Sequence, residues 1–146
     1  MSDTTTYLPP GLPPPVVDEL SAPYWDGLRA GRLLVQRCTH CGTWQFGPEW
    51  ICHQCHAFAP AWVEVAPQGR IFSWERVWHP VHPALQGHTP YLVVLVELPQ
   101  AGGVRMLGNL LGDAMQEVAI GAEVHGVFER HDGAEPPHAL LQWRVA

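Results

Sequence analysis

The sequence predicts a mostly β protein in which a short N-terminal helix and a metal-binding ribbon precede a five-stranded barrel. Three observations lead to this prediction: a helical signal near the amino end, four cysteines in two matched Cys-x-x-Cys pairs, and five strand-like runs after Gly69. A chain of 146 residues has room for one main hydrophobic core. We therefore expect a Pro-rich tail at 1–19, the helix and ribbon at 20–66, and the barrel domain at 67–146.

The segment 1–19 is rich in Thr and Pro, with five prolines between Pro9 and Pro15. Pro-rich segments of this kind cannot form a packed core by themselves and are usually extended. We expect disorder here, and an arm that binds a partner is the alternative.

The helix is predicted over 22–30. Ser21 can cap its amino end, Pro23 suits the first turn, and Gly31 suits the left-handed conformation that follows a helix. The large residues recur at helical spacing, which predicts a face packed on the body of the protein. They are Tyr24, Trp25 and Leu28.

The cysteines predict one structural zinc ion per chain. Cys38 and Cys41 form the first pair, Cys52 and Cys55 form the second, and ten residues separate the pairs. Each pair can form a tight knuckle that directs two thiolates at one ion, with zinc to sulfur distances of about 2.3 Å. Four protein ligands leave no open position for water or substrate, so the predicted zinc is structural.

Disulfides, free core cysteines and a four-thiolate iron site are the alternatives to zinc. The amino end lacks a basic stretch followed by an apolar one, so we expect a cytoplasmic protein, in which disulfides are rare. Free core cysteines would seldom fall into two matched pairs, whereas iron stays open. Three histidines in or next to the pairs are redundant as ligands. They are His40, His53 and His56.

The carboxyl half predicts a five-stranded OB-fold barrel. Asp113 with Gln116 forms a capping-box pattern, which permits one helical turn near 114–118 before Gly121. A helix between the third and fourth strands is typical of the OB-fold. The predicted strands are 70–78, 91–98, 104–110, 123–130 and 139–145.

The first barrel strand is the candidate ligand surface. Strict alternation places Phe72, Trp74 and Trp78 on one face together with Arg70 and Arg76. Aromatic rings and guanidinium groups suit the adenine and phosphates of a carrier such as coenzyme A, so Arg70, Trp74 and Arg76 are the candidate cofactor-binding residues. The alternative is that these aromatic side chains fill the barrel or cover the ribbon.

Composition argues against several classes of function. The net charge is −6, and the eight basic residues are all arginines spread along the chain, which disfavours nucleic-acid binding. No apolar run reaches the roughly 20 residues of a membrane span. The chain has three serines and no nucleophile elbow or phosphate-binding glycine loop, so we assign no catalytic residue.

The order of these features resembles the acyl-CoA-associated family with a rubredoxin-like zinc ribbon and a C-terminal OB-fold. The resemblance covers about residues 20–144 and departs from the family at Glu49, where an arginine is frequent. The matching residues are Gly31, Leu33, Gln36, Arg37, the four cysteines, Gly42, Pro48, Gly69, Arg70, Ile71, Ser73, Pro90, Tyr91, Val96, Leu98, Arg105, Ile120, Gly121, Val124 and Phe128.

The resemblance implies a non-catalytic accessory subunit that docks on a thiolase-fold acyl-CoA enzyme, such as a steroid side-chain aldolase. It also implies a shared site for coenzyme A or acyl-CoA. Alternatives are a subunit of an acyl-CoA hydratase complex, a single-stranded nucleic-acid-binding protein, and an enzyme that turns over an acyl-CoA ester alone. Binding that weakens steeply with salt would favour nucleic acid.

Overall fold

The computed structural model describes residues 6–146. Over this range, the strands outnumber the single short α-helix, and no helix is long and apolar enough to cross a bilayer. The elements are α1 (Ala22–Arg29), β1 (Leu33–Cys38), β2 (Trp44–Gln45), β3 (Pro60–Val65), β4 (Gln68–Val77), β5 (Tyr91–Leu98), β6 (Val104–Asn109), β7 (Glu123–His131) and β8 (His138–Val145), with 3-10 turns at Pro83–Leu85 and Pro99–Ala101.

The ribbon is a three-stranded antiparallel sheet in the order β2-β1-β3. Its central strand β1 buries Leu33 and Val35 toward the rest of the protein. The sequence did not indicate β2, because a strand of two residues is too short for an alternating pattern.

The barrel sheet has the order β6-β5-β4-β7-β8, and it is nearly closed. Leu110, directly after β6, forms a parallel bridge with Trp143 of β8, and the amide of Leu111 donates to the carbonyl of Trp143 at 2.8 Å. A Cβ atom on Gly108 would lie 2.7 Å from the Trp143 ring, so glycine permits this close approach. The order and the parallel closure confirm the predicted five-stranded OB-fold.

Helix α1 confirms the predicted helix: it begins at Ala22 as expected and ends one residue early, at Arg29, but its amino end is not capped as predicted. The Ser21 side chain makes no cap hydrogen bond. Instead, its hydroxyl bonds to the carboxylate of Asp18 at 2.7 Å, which holds the preceding turn. Gly31 has a φ of 72°, the left-handed conformation expected after the helix.

The helical turn predicted near 114–118 is wrong. Asp113 caps a single turn by accepting the amide of Met115 at 2.9 Å, but no helix follows. The guanidinium group of Arg76 donates to the carbonyls of Ala114 and Gln116 at 2.8 and 2.6 Å. These carbonyls therefore accept hydrogen bonds from a side chain instead of from the backbone amides of a helix.

A β-bulge in β4 breaks the predicted ligand face. The register with β5 shifts at Phe72, so the alternation of inward and outward side chains changes there. Arg70 and Phe72 lie on the outer face, whereas Trp74 and Arg76 pair with residues of β5 that are buried, and Trp74 packs against the core. Trp78 follows the strand and is exposed. The expectation that these five residues share one face is therefore wrong.

Helix, ribbon and barrel share one hydrophobic core. Tyr24 and Leu28 of α1 and Leu33 and Val35 of β1 belong to the same buried cluster as the inward residues of the barrel. A Cβ atom on Gly102 would lie 2.8 Å from the ring of Trp44, so β2 also touches the barrel backbone. The boundaries at 19/20 and 66/67 stay predictions.

Part of the tail predicted to be disordered falls on residues 1–5, which lie outside the described residues. From Thr6 onward the chain runs beside the β7–β8 hairpin. The amides of Tyr7 and Leu8 donate there to a carboxylate oxygen of Glu129.

Candidate metal centre

Two knuckles with the same backbone geometry carry the four cysteines. In the first, the amide of Gly42 donates to the carbonyl of Cys38 at 2.9 Å; in the second, the amide of His56 donates to the carbonyl of Cys52 at the same distance. Gly42 and His56, which follow the second cysteine of each pair, both have a positive φ, of 76° and 64°. The repeated turn presents both thiol groups of each pair toward the same point.

The sulfur atoms fit a tetrahedral metal site. The Sγ atoms of Cys38 and Cys55 lie 3.7 Å apart, those of Cys41 and Cys52 lie 3.6 Å apart, and all four lie within 4.8 Å of one another. A tetrahedron with metal to sulfur distances of about 2.3 Å has edges of about 3.8 Å. A disulfide would need about 2.05 Å. The four thiolates therefore suit one structural zinc ion and leave no open coordination position.

Local donors favour the thiolate form that a zinc ligand requires. A hydrogen bond with the hydroxyl of Thr43, 3.1 Å away, lowers the pKa of Cys41 to about 6. The amide of Cys41 lowers the pKa of Cys38 in the same way. The amide of Ala57 lowers the pKa of Cys55, but burial and the neighbouring sulfur atoms outweigh it and raise that pKa to about 12. A bound cation would offset the mutual repulsion of these sulfur atoms.

A buried pair of amide side chains holds the loop between the two knuckles. The Nε2 atom of Gln45 donates to Oε1 of Gln36 at 2.9 Å and to the carbonyl of Ile51 at 3.2 Å. Gln36 in turn contacts both backbone groups of Glu49, at 3.0 and 3.2 Å. Oε1 of Gln45 also accepts the amide of His53, next to Cys52, at 3.1 Å. No sequence pattern predicted this role for Gln36 and Gln45. The one signal that could have indicated it is that both glutamines lie on the β1–β2 hairpin.

The candidate cofactor residues lie in two places. On the outer face, Nη2 of Arg70 lies 2.7 Å from Oε1 of Glu97, and Nε of Arg105 lies 3.6 Å from the other carboxylate oxygen. The hydrogen bond from Arg70, together with Arg105, holds the pKa of Glu97 below its ordinary value. On the inner side, the guanidinium group of Arg76 lies 5.2 Å from the ring of Trp74. The structure does not bring Arg70 together with the other two.

The outer surface of β4, β5 and β6 is apolar at its centre. We name as the outer apolar face the residues Phe72, Val93, Leu95 and Leu107. Phe72 is 43% exposed and Leu107 is 67% exposed. The guanidinium group of Arg105 lies 3.6 Å from the centre of the Phe72 ring. This face therefore combines exposed apolar area with a rim of charged residues.

Comparisons with known proteins cover most of the chain. Two family models match in succession: the rubredoxin-like zinc ribbon domain of ChsH2 over residues 25–61, and the C-terminal OB-fold domain of ChsH2 over residues 62–129. Among solved structures, the Ltp2-ChsH2(DUF35) aldolase has a chain that is 32% identical, with a TM-score of 0.77. That match covers 90% of this chain and 98% of the other.

Two similar proteins are named as hydratase subunits. The probable enoyl-CoA hydratase alpha subunit of Thermomonospora curvata is 35% identical over 124 residues, 84% of this chain and 38% of that protein. The 3-oxo-4,17-pregnadiene-20-carboxyl-CoA hydratase alpha subunit of Mycobacterium tuberculosis is 32% identical over 136 residues, 84% of this chain and 42% of that protein. The chain thus spans about two fifths of the length of these relatives.

Proposed function

The chain belongs to the ChsH2 (DUF35) family of zinc-ribbon and OB-fold proteins, and we propose that it is a non-catalytic accessory subunit of an acyl-CoA enzyme. It docks on a thiolase-fold partner that carries out acyl transfer or retro-aldol cleavage, including cleavage of a steroid or other lipid side chain. Its role is to support the stability of that partner. The aldolase assembly of the structural relative supports this choice of partner.

The observation that carries the proposal is the outer apolar face. When one face of an antiparallel sheet meets water, its strands alternate apolar and polar residues. Strand β5 does not, because Tyr91, Val93 and Leu95 point outward while the intervening residues are buried. An apolar centre bordered by a polar rim is the anatomy of a protein interface. Here the rim at one end is the Arg70, Glu97 and Arg105 cluster.

The metal centre supports the same function. A closed four-thiolate site stiffens the ribbon and activates no water or substrate. In the described part of the chain, the four cysteines are the only group of three or more potential metal ligands that lie close together. In this proposal, the chemistry of the complex belongs to the partner, and this zinc site has a structural role.

A subunit of an acyl-CoA hydratase complex is the second candidate. The names of the two hydratase relatives favour it, and the matched region makes up about two fifths of each. The two candidates share the docking role and differ in the reaction of the partner. Retro-aldol or acyl-transfer activity of the purified complex supports the first, and hydration of an enoyl thioester supports the second.

We also propose that Arg70, Arg76 and Trp74 bind coenzyme A. Arg70 is better placed for this role than Arg76. Arg70 lies at the rim of the outer apolar face, half exposed, where a phosphate could replace Glu97 as its partner. Arg76 already donates to two backbone carbonyls. We expect that Arg70→Ala weakens coenzyme A binding by the complex and that Arg76→Ala mainly destabilises the 111–121 loop.

Co-purification tests the docking proposal. The tagged chain is isolated from its native cell, and the proteins bound to it are identified by mass spectrometry. We expect a stoichiometric acyl-CoA enzyme, and we expect Leu107→Asp to lose it because a buried carboxylate is costly in an apolar interface. Ile120→Asp is the matched control, since Ile120 is 63% exposed and lies outside β4–β6. Isolation of the chain alone, or equal recovery with both variants, would contradict the proposal.

A further inference from the structure

The segment of residues 6–15, which we call the strap, forms one wall of a cleft. Its anchor is Glu129 on β7, whose Oε1 atom accepts the amides of Tyr7 and Leu8 at 2.8 and 3.0 Å. The Glu129 side chain is only 3% exposed, so these hydrogen bonds satisfy a carboxylate that water does not reach. The strap is therefore bound to the barrel by a specific buried contact.

The opposite wall carries two histidines. Nε2 of His131 lies 3.1 Å from the other carboxylate oxygen of Glu129. The ring of His138 stacks on that of His131, with centroids 4.8 Å apart and planes 9° apart. Nδ1 of His138 lies 3.1 Å from the carbonyl oxygen of Pro136. Both imidazoles are thus held in place by an acceptor oxygen.

The cleft between the strap and the β7–β8 hairpin has a volume of about 740 Å³. This volume is in the range of small-molecule sites. Much of the strap wall is proline, which has no backbone N–H to donate. The residues that carry the argument are Leu8, Pro9, Leu12, His131, His138 and Leu140, all of which line the cleft. A ligand here meets apolar surface on one side and imidazole on the other.

The charges around the cleft disfavour an anionic ligand. Arg130 lines it, but its guanidinium group donates to both carboxylate oxygens of Asp132 at 3.2 Å and to the carbonyl of Arg29 at 2.7 Å. Glu135 adds a further negative charge to the lining. No uncompensated cation is left among the lining residues to hold a carboxylate or phosphate, so the cleft suits a neutral molecule.

The hydrogen bonds of the two histidines decide what polar group that molecule carries. A neutral imidazole has one donor nitrogen and one acceptor nitrogen. A carboxylate and a carbonyl accept hydrogen bonds, so the nitrogens that face them, Nε2 of His131 and Nδ1 of His138, are the donors. The remaining nitrogen of each ring is an acceptor, and its complement is a hydroxyl group.

We propose that the cleft binds a neutral, largely apolar alcohol, with its hydrocarbon part against the strap and its hydroxyl group at the His131–His138 pair. The site goes beyond the proposed docking function, because this chain alone forms every wall of it. It would therefore operate whichever enzyme is the partner.

Calorimetric titration of the zinc-loaded full-length chain tests the site. The probes are 1-decanol, 2-decanone and decanoate, which share a chain length and differ in the polar group. The titrations are run at pH 8. We expect 1-decanol to bind about fivefold to tenfold more tightly than the ketone, as for one hydrogen bond, and decanoate to bind more weakly than the alcohol.

Variants locate the binding. His138→Phe keeps a flat ring but removes one of the two acceptor nitrogens, so the preference for alcohol over ketone should decrease. Ala134→Trp, in the turn that lines the cleft, should abolish binding of all three probes while zinc content and circular dichroism stay unchanged. His125→Phe is the control, because His125 is exposed on β7 and does not line the cleft. Absence of 1-decanol binding, equal affinity for alcohol and ketone, or an unchanged preference in His138→Phe would overturn the proposal.

Discussion

His56 adopts a backbone conformation that glycine adopts in the other knuckle. With a φ of 64° it is the one residue with a side chain and a positive φ among residues 6–146. Such a conformation costs a non-glycine residue about 1 to 2 kcal/mol. The sequence pattern offered His56 as a spare metal ligand, whereas the structure shows that its position is set by the turn, through the hydrogen bond to Cys52.

Replacing this residue with glycine should stabilise the protein. We expect His56→Gly to raise the free energy of unfolding of the zinc-loaded chain by about 1 kcal/mol, because the strain is removed and the backbone hydrogen bond is kept. Gly42→Ala is the reciprocal control and should lower it by a similar amount, since Gly42 has a φ of 76°. Urea unfolding at fixed zinc concentration measures both, and a loss of stability in His56→Gly would contradict the prediction.

The second knuckle depends on the β1–β2 hairpin for its position. Gln45 joins Gln36 on one side to Ile51 and His53 on the other, and it is only 6% exposed. Buried amides of this kind are costly to leave without partners. The β1–β2 hairpin thus supports the loop that carries the metal ligand Cys52.

Gln45→Ala should therefore loosen the metal site. We expect a loss of about 1 to 3 kcal/mol in stability, because Gln36 and two backbone groups lose their partner. Zinc transfer to a chromogenic chelator should also become faster. Gln54→Ala is the matched control, since Gln54 is exposed and contacts Cys52 through its backbone amide alone. Equal zinc transfer rates in the two variants would show that the amide pair does not position the knuckle.

The ribbon and the barrel share one core, which makes their folding interdependent. Leu33 and Val35 of β1 are at most 1% exposed and pack in the same cluster as Val94 and Val96 of β5. A small chain gains much of its stability from such a single core. A change that destabilises the ribbon should therefore also destabilise the barrel.

Removal of zinc should destabilise the entire chain. We expect that a strong chelator lowers the midpoint of thermal unfolding and that the transition stays single, because metal binding contributes directly to folding. Amide hydrogen exchange in β5 is the decisive measurement, because β5 is distant in sequence from the zinc ligands. Protection there should fall after chelation and return when zinc is added. A barrel that keeps its protection without zinc would show that the two parts fold independently.

The strand pattern and the cysteine spacing predicted most of the architecture, because both depend on residues that are close in sequence. Strand β5 begins and ends at the predicted residues, and helix α1 differs from its prediction by one residue. The zinc ligands follow from pairs of residues that are close in sequence. Side-chain period and ligand spacing are local properties, so they need no knowledge of the rest of the fold.

Contacts between distant segments decided the rest. The bulge at Phe72 reverses the faces of β4, and Arg76 takes the carbonyls that a helix at 114–118 would have needed. The strap meets Glu129 across more than a hundred residues, and no local pattern encodes that meeting. The partner of a side chain depends on its position in space. The faces of β4, the contacts of Arg76 and the cleft beside the strap are therefore determined only by the closed barrel, which brings these segments together.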